Sequence, residues 1–457
     1  VNDASSRTEV SREITSLGVE LMSSGRLREA ALTFRKALAL ADDCREAGLL
    51  LGHCLHQLGK YQESLVVYDR MRAVSPDCAA IWNNRGNTLL ELGRYDQSVD
   101  SYRRALELSP DLHDARVAMG SCYQFMGRPE QALECCEAVL KSDAGHVEAH
   151  WNRALLLLLK GDYAEGWREY EWRWKKRAFT SPVRHFSQPR WAGEDLAGKK
   201  LLVHAEQGFG DTLQFCRFIP NLARLGAKVI FECQPQLVSL LESLAGCVEA
   251  VPMGANLPDF DMHVPLLSLP LLLGINLQNL TNQVPYVSPS EAKQSLWHAI
   301  VSHGAGKKVG LCWSGKSYPD PGRSCPVHDL AALAAVDGMV WHSLQVGWEE
   351  PLPFVMSDHT GMIKDFEDTA ALIRSLDLVI TIDTAVAHLA GALGKPVWIM
   401  LPYAPDWRWL LERNDSPWYP TARLFRQQRS AGWTEVINQV AAGLRRWQKI
   451  DACPEPD

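Results

Sequence analysis

The sequence predicts an α + α/β chain, with a helical repeat array at the N-terminus and two Rossmann-like α/β domains after it. Two patterns predict this. Residues recur with a period of 34 over about the first 180 positions, and beyond about residue 198 short apolar β-rich runs alternate with amphipathic helical stretches. Size agrees: 457 residues are too many for one ordinary core, so two or three domains are expected. With 46% hydrophobic and 22% charged residues the composition is that of a soluble chain. A formal charge of -7 argues against nucleic acid as a partner. Twelve scattered cysteines without a C-x-x-C pair read as reduced thiols in a cytoplasm. The opening residues lack an apolar signal core, and runs such as "ALLLLLK" are too short to span a bilayer. The expected protein is cytoplasmic, with no transmembrane segment.

The repeat is visible in columns. Gly18, Gly52, Gly86, Gly120 and Ala154 fall in register, as do Gly25, Gly59, Gly93, Gly127 and Gly161. Phe34, Tyr68, Tyr102, Cys136 and Tyr170 form a third column, and Pro76 and Pro110 close two units. Each unit reads as two helices, with small residues where the helices cross and aromatic residues in the gap. This resembles the tetratricopeptide repeat, with units starting near 11, 45, 79, 113 and 147 of a domain over 1–180. One helix pair cannot bury its apolar face alone, whereas five stacked pairs make a solenoid with a concave groove. Such arrays bind protein or peptide. Asn83, Asn84, Asn87 and Asn152 lie on first helices, which line the groove in this repeat class. They either clamp a peptide backbone through amide hydrogen bonds or form a solvated face. A linker over 181–200 follows, and the stretch from the fifth unit into it carries Trp167, Trp172, Trp174 and Trp191, which suggest a packed junction.

The α/β region divides at about 290–300. In the first half, 201–290, "LLVHA" precedes a helix expected from about Asp211 to Leu225, and "KVIFEC", "VEAVPM" and "DMHVPL" follow. In the second, 300–450, the strands are "KVGLCWS", "VWHSLQ", "LDLVITID" and "PVWIML". Continuous apolar strands between helices imply parallel sheets covered on both faces, with ligands at the carboxyl ends of the strands.

Three loops at such ends carry candidate chemistry. The strand ending at Asp383 runs directly into a helix that Asp383 or Thr384 can cap, and the helix N-terminus suits a diphosphate. Thr384 and His388 share a face of that helix, and His388 is either a ligand of the site or a core histidine. The loop "CWSGKSYPDPGRS" supplies Ser314, Gly315, Lys316 and Arg323, cations and a glycine compatible with phosphate, although it lacks the P-loop pattern. In "HAEQGFGD", Gln207, Gly208 and Gly210 lead to Asp211. A carboxylate beside a diphosphate is repelled, so this loop reads as the acceptor side, with the glycines turning the backbone and Asp211 serving as base, helix cap or both. The loop has no third glycine for a dinucleotide fingerprint, which weighs against an NAD enzyme. In "PDWRW", Trp407 or Arg408 can stack on a base or sugar, with core packing the alternative for Trp407.

Together "EQGFGDTLQFCRFIP", "GLCWSG" with "GRS", and "ITIDTAVAHLAGALGKPVW" resemble the heptosyltransferase-like glycosyltransferases of family nine, over roughly 198–445. The layout is also similar to protein O-linked N-acetylglucosaminyltransferases, whose repeats select polypeptide. The resemblance implies the two-domain GT-B fold, Asp211 as general base, Asp383 and His388 on the donor side, inverting stereochemistry, and a nucleotide-diphosphate sugar as donor, with no metal and no further cofactor. The rival class is a non-catalytic protein-binding scaffold with a degenerate transferase-like region.

Overall fold

The structure is a computed structural model that describes residues 2–316, 321–428 and 432–451. The chain forms two compact units, residues 1–156 and 157–457.

The first unit is built from helix pairs: α1 (Asn2–Ser23) with α2 (Leu27–Leu40), α3 (Arg45–Gln57) with α4 (Tyr61–Val74), α5 (Ala79–Glu91) with α6 (Tyr95–Leu108), and α7 (His113–Phe125) with α8 (Pro129–Ser142). Helix α9 (Val147–Lys160) runs across the boundary and α10 (Tyr163–Tyr170) belongs to the second unit. The glycine and aromatic columns explain each other. A Cβ on Gly18, Gly52 or Gly86 would lie 2.5, 2.5 or 2.6 Å from the ring of Phe34, Tyr68 or Tyr102, so each ring occupies the space the glycine leaves. Where Cys136 replaces the aromatic residue, the nearest atom to a Cβ on Gly120 is the Cys135 Cβ at 3.2 Å. The second glycine column ends the first helix of every pair in the left-handed region, with φ from 67 to 86°.

Two boundaries of the repeat region differ from the sequence expectation. Helix α1 starts at Asn2 rather than near 11, because no helix breaker precedes that point. The first compact unit ends at 156 rather than 180. The reason is the aromatic face of α10: Trp167 Nε1 donates to the Ile275 carbonyl at 3.1 Å, and Trp418 Nε1 donates to the Tyr163 hydroxyl at 3.2 Å, so α10 is buried with the α/β part. Trp167 and Trp191 are buried.

The second unit holds two parallel sheets. The first has the order β3-β2-β1-β4, from β1 (Lys200–His204), β2 (Lys228–Cys233), β3 (Cys247–Pro252) and β4 (Met262–Pro265). The second has the order β6-β5-β7-β8-β9, from β5 (Lys307–Cys312), β6 (Met339–Ser343), β7 (Leu378–Ile382), β8 (Val397–Leu401) and β9 (Ala422–Arg426). Its strands bury Val309, Leu311, Ile380 and Met400 in one core. Edge strand β9 escapes the sequence reading because "ARLFR" is short and carries two arginines, of which Arg423 is exposed. The helices are α11 (Phe209–Phe215), α12 (Ile219–Arg224), α13 (Val238–Leu241), α14 (Leu269–Leu272), α15 (Glu291–Val301), α16 (Phe366–Arg374), α17 (Ala385–Ala392) and α18 (Thr434–Asp451). The helix expected over 211–225 thus begins at Phe209 and is interrupted by a 3-10 turn at Cys216–Phe218, just before Pro220, which has no N–H to continue the ladder.

Strand order reverses direction between β1 and β4 and between β5 and β7. These switch points open crevices at the carboxyl ends of β1, β5 and β7, where the candidate loops sit.

The column argument gives a test. Gly52→Ala should destabilise the repeat unit by about 1–3 kcal/mol through overpacking against Tyr68. Gly120→Ala should cost less, and urea unfolding of the two variants side by side decides the ranking.

Candidate active site

The loop after β1 is held from below by a buried ion pair. Arg173, fully buried in the 3-10 turn Glu171–Lys175, donates Nε and Nη2 to the two Glu206 carboxylate oxygens at 2.9 and 2.7 Å. Glu206 also accepts the Leu267 N–H at 3.1 Å, and Arg173 reaches Glu171 at 2.6 Å and Ser268 at 2.8 Å. Burial disfavours the guanidinium charge, but Glu206 and Glu171 outweigh it and hold the Arg173 pKa above its ordinary value. Next in the chain, Gln207 takes φ 63°, with its N–H bonded to Ser181 Oγ at 2.8 Å and its amide to the Tyr170 hydroxyl at 3.2 Å. The left-handed turn is therefore made at Gln207, not at the glycines. Gly208 instead donates its N–H to Asp211 Oδ2 at 2.9 Å. Gly210 permits close approach: a Cβ there would lie 2.8 Å from His388 Cδ2 and 3.7 Å from Ala385 Cα. Asp211 is the third residue of α11, so it closes a capping contact from inside the helix rather than preceding Thr212 as an N-cap.

Asp211 meets the second α/β half through Arg408. The Arg408 guanidinium bonds Asp211 Oδ1 through Nη2, Asp406 Oδ1 through Nη1 at 2.9 Å, and Gln214 Oε1 through Nε at 2.6 Å. Burial pushes the Asp211 carboxyl up from its usual range, while Arg408 pulls the other way. For Arg408 burial works against the charge, and the surrounding Asp406 and Asp211 carboxylates overcome it. Rather than presenting a free face for a base or sugar, Arg408 lies over the Trp407 ring at 4.4 Å and is tied to carboxylates. Trp407 is 3% exposed among Trp167, Phe215 and Trp418, which is the core-packing alternative.

At the carboxyl end of β7, Thr384 stands at the N-cap of α17, but its hydroxyl turns back to Thr381 Oγ1 at 3.1 Å and makes no side-chain cap; neither does Asp383. The first turn of α17 thus keeps its dipole end uncapped by a side chain. Burial first, then the Asp406 carboxylate, pushes Asp383 up to about 7, with Arg408 and Arg323 opposing. His388 is buried, stacks on Trp409 at 5.5 Å and shares a hydrogen bond of 2.9 Å with the Tyr419 hydroxyl through Nδ1. Burial, then the charges of Arg408 and Arg217, hold its pKa well below the imidazole range, so it is neutral 3.9 Å from Asp383 Oδ1.

The loop after β5 lies alongside. A Cβ on Gly315 would sit 3.3 Å from both Arg323 Nε and Thr384 Cγ2. The Ser314 N–H donates to Gln345 Oε1 at 2.8 Å and the Gly315 N–H to Ser324 Oγ at 3.1 Å, so both backbone donors are engaged by side chains of the protein. Arg323 bonds the Lys316 carbonyl at 2.9 and 2.6 Å. Residues 317–320 of "SGKSYPDPGRS" lie outside the described residues. A cavity of about 630 Å³ opens beside this loop, lined by Ser314, Ser324, Pro326, Trp348, Leu352 and Pro353 among others.

The structure therefore brings Asp211, Arg408, Asp383 and His388 into one cluster and Gly315, Arg323 and Thr384 into another beside it. In the repeat unit, Asn83 bonds Asn84 at 3.1 Å, Asn87 accepts from the Tyr102 hydroxyl at 2.7 Å, and Asn152 bonds Ser121 at 3.3 Å. Those amides are thus partly engaged within the array. Sequence reasoning missed Gln214, Gln345 and Asp406. Gln214 was findable, because three residues after Asp211 it shares its helix face.

Residues 21–85, 79–112 and 117–171 match tetratricopeptide repeat families, and residues 364–404 match glycosyltransferase family 9 (heptosyltransferase). The latter match runs from just before α16 to just past β8; it contains Asp383, Thr384 and His388, and leaves Asp211 and Arg408 outside. Among individual proteins, the chain is similar to the protein FlbA of Caulobacter vibrioides, 29% identical over 354 residues that cover 70% of this chain. It spans 59% of the length of that curated relative. Its repeats are similar to a tetratricopeptide repeat protein of Parabacteroides merdae (21% identity, 36% of this chain and 65% of that one, TM-score 0.34). They are also similar to pilF of Pseudomonas aeruginosa (22% identity, 36% and 76%, TM-score 0.34). No described helix is long and apolar enough to cross a membrane.

Two outcomes follow from the buried charges. Arg173→Ala, which strands Glu206 in the interior, should cost about 3–5 kcal/mol of stability in urea unfolding, whereas an exposed pair such as Arg168–Glu165 should cost under about 1 kcal/mol. Buried His204 and His342 are pulled down, chiefly by burial, to about 3 and about 4. Below their unfolded value of about 6.5 the unfolded chain binds protons that the folded chain refuses, so stability falls with pH. The loss is about 1.4 kcal/mol per pH unit for each histidine, from about pH 6 down towards 4. His342→Phe should flatten that slope in urea midpoints measured at pH 7, 6 and 5.

Proposed function

We propose that the second unit is a glycosyltransferase that moves a sugar from a nucleotide-diphosphate donor to an acceptor hydroxyl. The carrying observation is the meeting of Asp211, from the switch point of the first sheet, with Arg408, Asp383 and the uncapped start of α17 from the second sheet. In this reading the diphosphate lies at the start of α17, near Lys316 and Arg323, with the nucleoside directed towards the cavity lined by Trp348 and Pro353. Asp211 takes the proton of the acceptor hydroxyl while its oxygen attacks the anomeric carbon, and the bond to the diphosphate breaks with its electron pair leaving on phosphate. Attack opposite the leaving group inverts the anomeric centre. Helix N–H groups and the cations stabilise the developing charge, so the reading requires no metal. The repeats recruit the acceptor, a protein or peptide.

A nucleoside diphosphate should raise the melting temperature of the full chain. Asp211→Asn should keep that shift and lose transfer by about 10²–10⁴-fold. If no nucleoside diphosphate or sugar nucleotide moves the melt, the donor site is wrong; if Asp211→Asn transfers at the wild-type rate, another group is the base.

A further inference from the structure

Asp211 is poorly placed to act as a base in the arrangement the structure shows. Both of its oxygens already accept donors, Oδ1 from Arg408 and Oδ2 from the Gly208 N–H, and its side chain is only 17% exposed. An ion pair lowers a carboxylate's proton affinity, and here the cation lies on the oxygen nearest the second α/β half. Arg408 in turn is the third residue of the run Asp406-Trp407-Arg408, anchored by its own N–H to Asp406 Oδ1 at 3.0 Å. It stands close enough to the start of α17 for its charge to act on Asp383 and His388. The titratable groups around the pair include Asp406, Asp383, Tyr170, Tyr163 and His388.

We propose that Arg408 is a catalytic residue that exchanges partners: it holds Asp211 in the donor-free enzyme and passes to the diphosphate of the bound donor, leaving Asp211 free to accept the acceptor's proton. This rests on the glycosyltransferase reading. The guanidinium fork matches a phosphate bidentately, and a diphosphate presents more negative charge than the single carboxylate it replaces. The exchange is local. Nη1 and the backbone keep Asp406 as anchor, while Nη2 changes from Asp211, and Nε from Gln214, to two oxygens of the phosphate. During transfer the acceptor proton goes to Asp211 and the electron pair of the broken C–O bond goes to the diphosphate. The cation then sits where charge grows and is absent where a proton must be received. Donor binding thereby precedes base activation.

The test uses the full chain and hydrolysis of sugar nucleotides, with water as acceptor, in a panel of UDP-, GDP- and ADP-hexoses. The acidic limb of kcat/KM reports Asp211 in the free enzyme and that of kcat reports it in the donor complex. In the wild type the kcat limb should lie about one pH unit or more above that of kcat/KM, since Arg408 leaves Asp211 only in the complex. In Arg408→Gln the two limbs should coincide and the donor KM should rise about tenfold or more, with Arg408→Lys intermediate in KM. A merely structural Arg408 would lower kcat without separating the wild-type limbs. Coincident limbs in the wild type overturn the exchange even if Arg408→Gln does not fold. Hydrolysis that is lost in Asp211→Asn yet shows coincident limbs sinks the exchange alone. Absence of both hydrolysis and nucleotide-induced melting shifts sinks the transferase reading and the exchange with it.

Discussion

The close approach of α11 to α17 is the contact on which the candidate site depends. Gly210 lies against the edge of the His388 ring, with room for no side chain between them. That single missing Cβ lets a helix from the first sheet touch a helix from the second, and so brings Asp211 within reach of Arg408. Any larger residue there would separate the two halves just where their switch-point loops face each other. His388 can fill this role because it is neutral. A charged imidazole could not be packed under Trp409 and against Tyr419 at acceptable cost.

Two buried arginines inside the second unit anchor hydrogen-bond networks. Arg173 spans Glu206, Glu171 and Ser268, and fixes the strained Gln207 turn from one side. Arg217 does related work at the back of the site. It bonds the Trp418 carbonyl at 2.8 Å and the Tyr286 hydroxyl at 3.0 Å, with aromatic rings over its guanidinium. Buried arginines in such settings are weak sources of stability but strong fixers of geometry, because removing one leaves its partners without compensation. The loop at the carboxyl end of β1 is therefore pre-set by Arg173 and its partners.

The first unit follows simpler rules. Its glycines and aromatic residues form complementary columns, and its helix ends reuse one left-handed glycine in every pair. Where the aromatic column breaks at Cys136, the constraint on the facing Gly120 relaxes. A repeat is legible in sequence because each unit solves the same packing problem with the same residue types at the same spacing.

The sequence by itself determined the helix pairs, the runs that became β1 to β8, and the three loops that carry the candidate chemistry. These are local matters of period, apolar continuity and chain turns. Tertiary structure alone decided the rest. Asp211 and Arg408 are far apart in the chain, so no spacing could join them. The sequence left Trp407 between stacking on a ligand and packing in the core, and offered Arg408 for stacking; Trp407 is packed among aromatic rings and Arg408 is held by three side chains. Gln345, which occupies the backbone donors after β5, comes from the neighbouring strand's loop. Strand β9 and the burial of α10 with the α/β part were equally hidden, since each depends on which distant surface covers it. Burial and charge partnership are properties of what the fold brings together, and a linear pattern carries only what lies within a few turns of the chain.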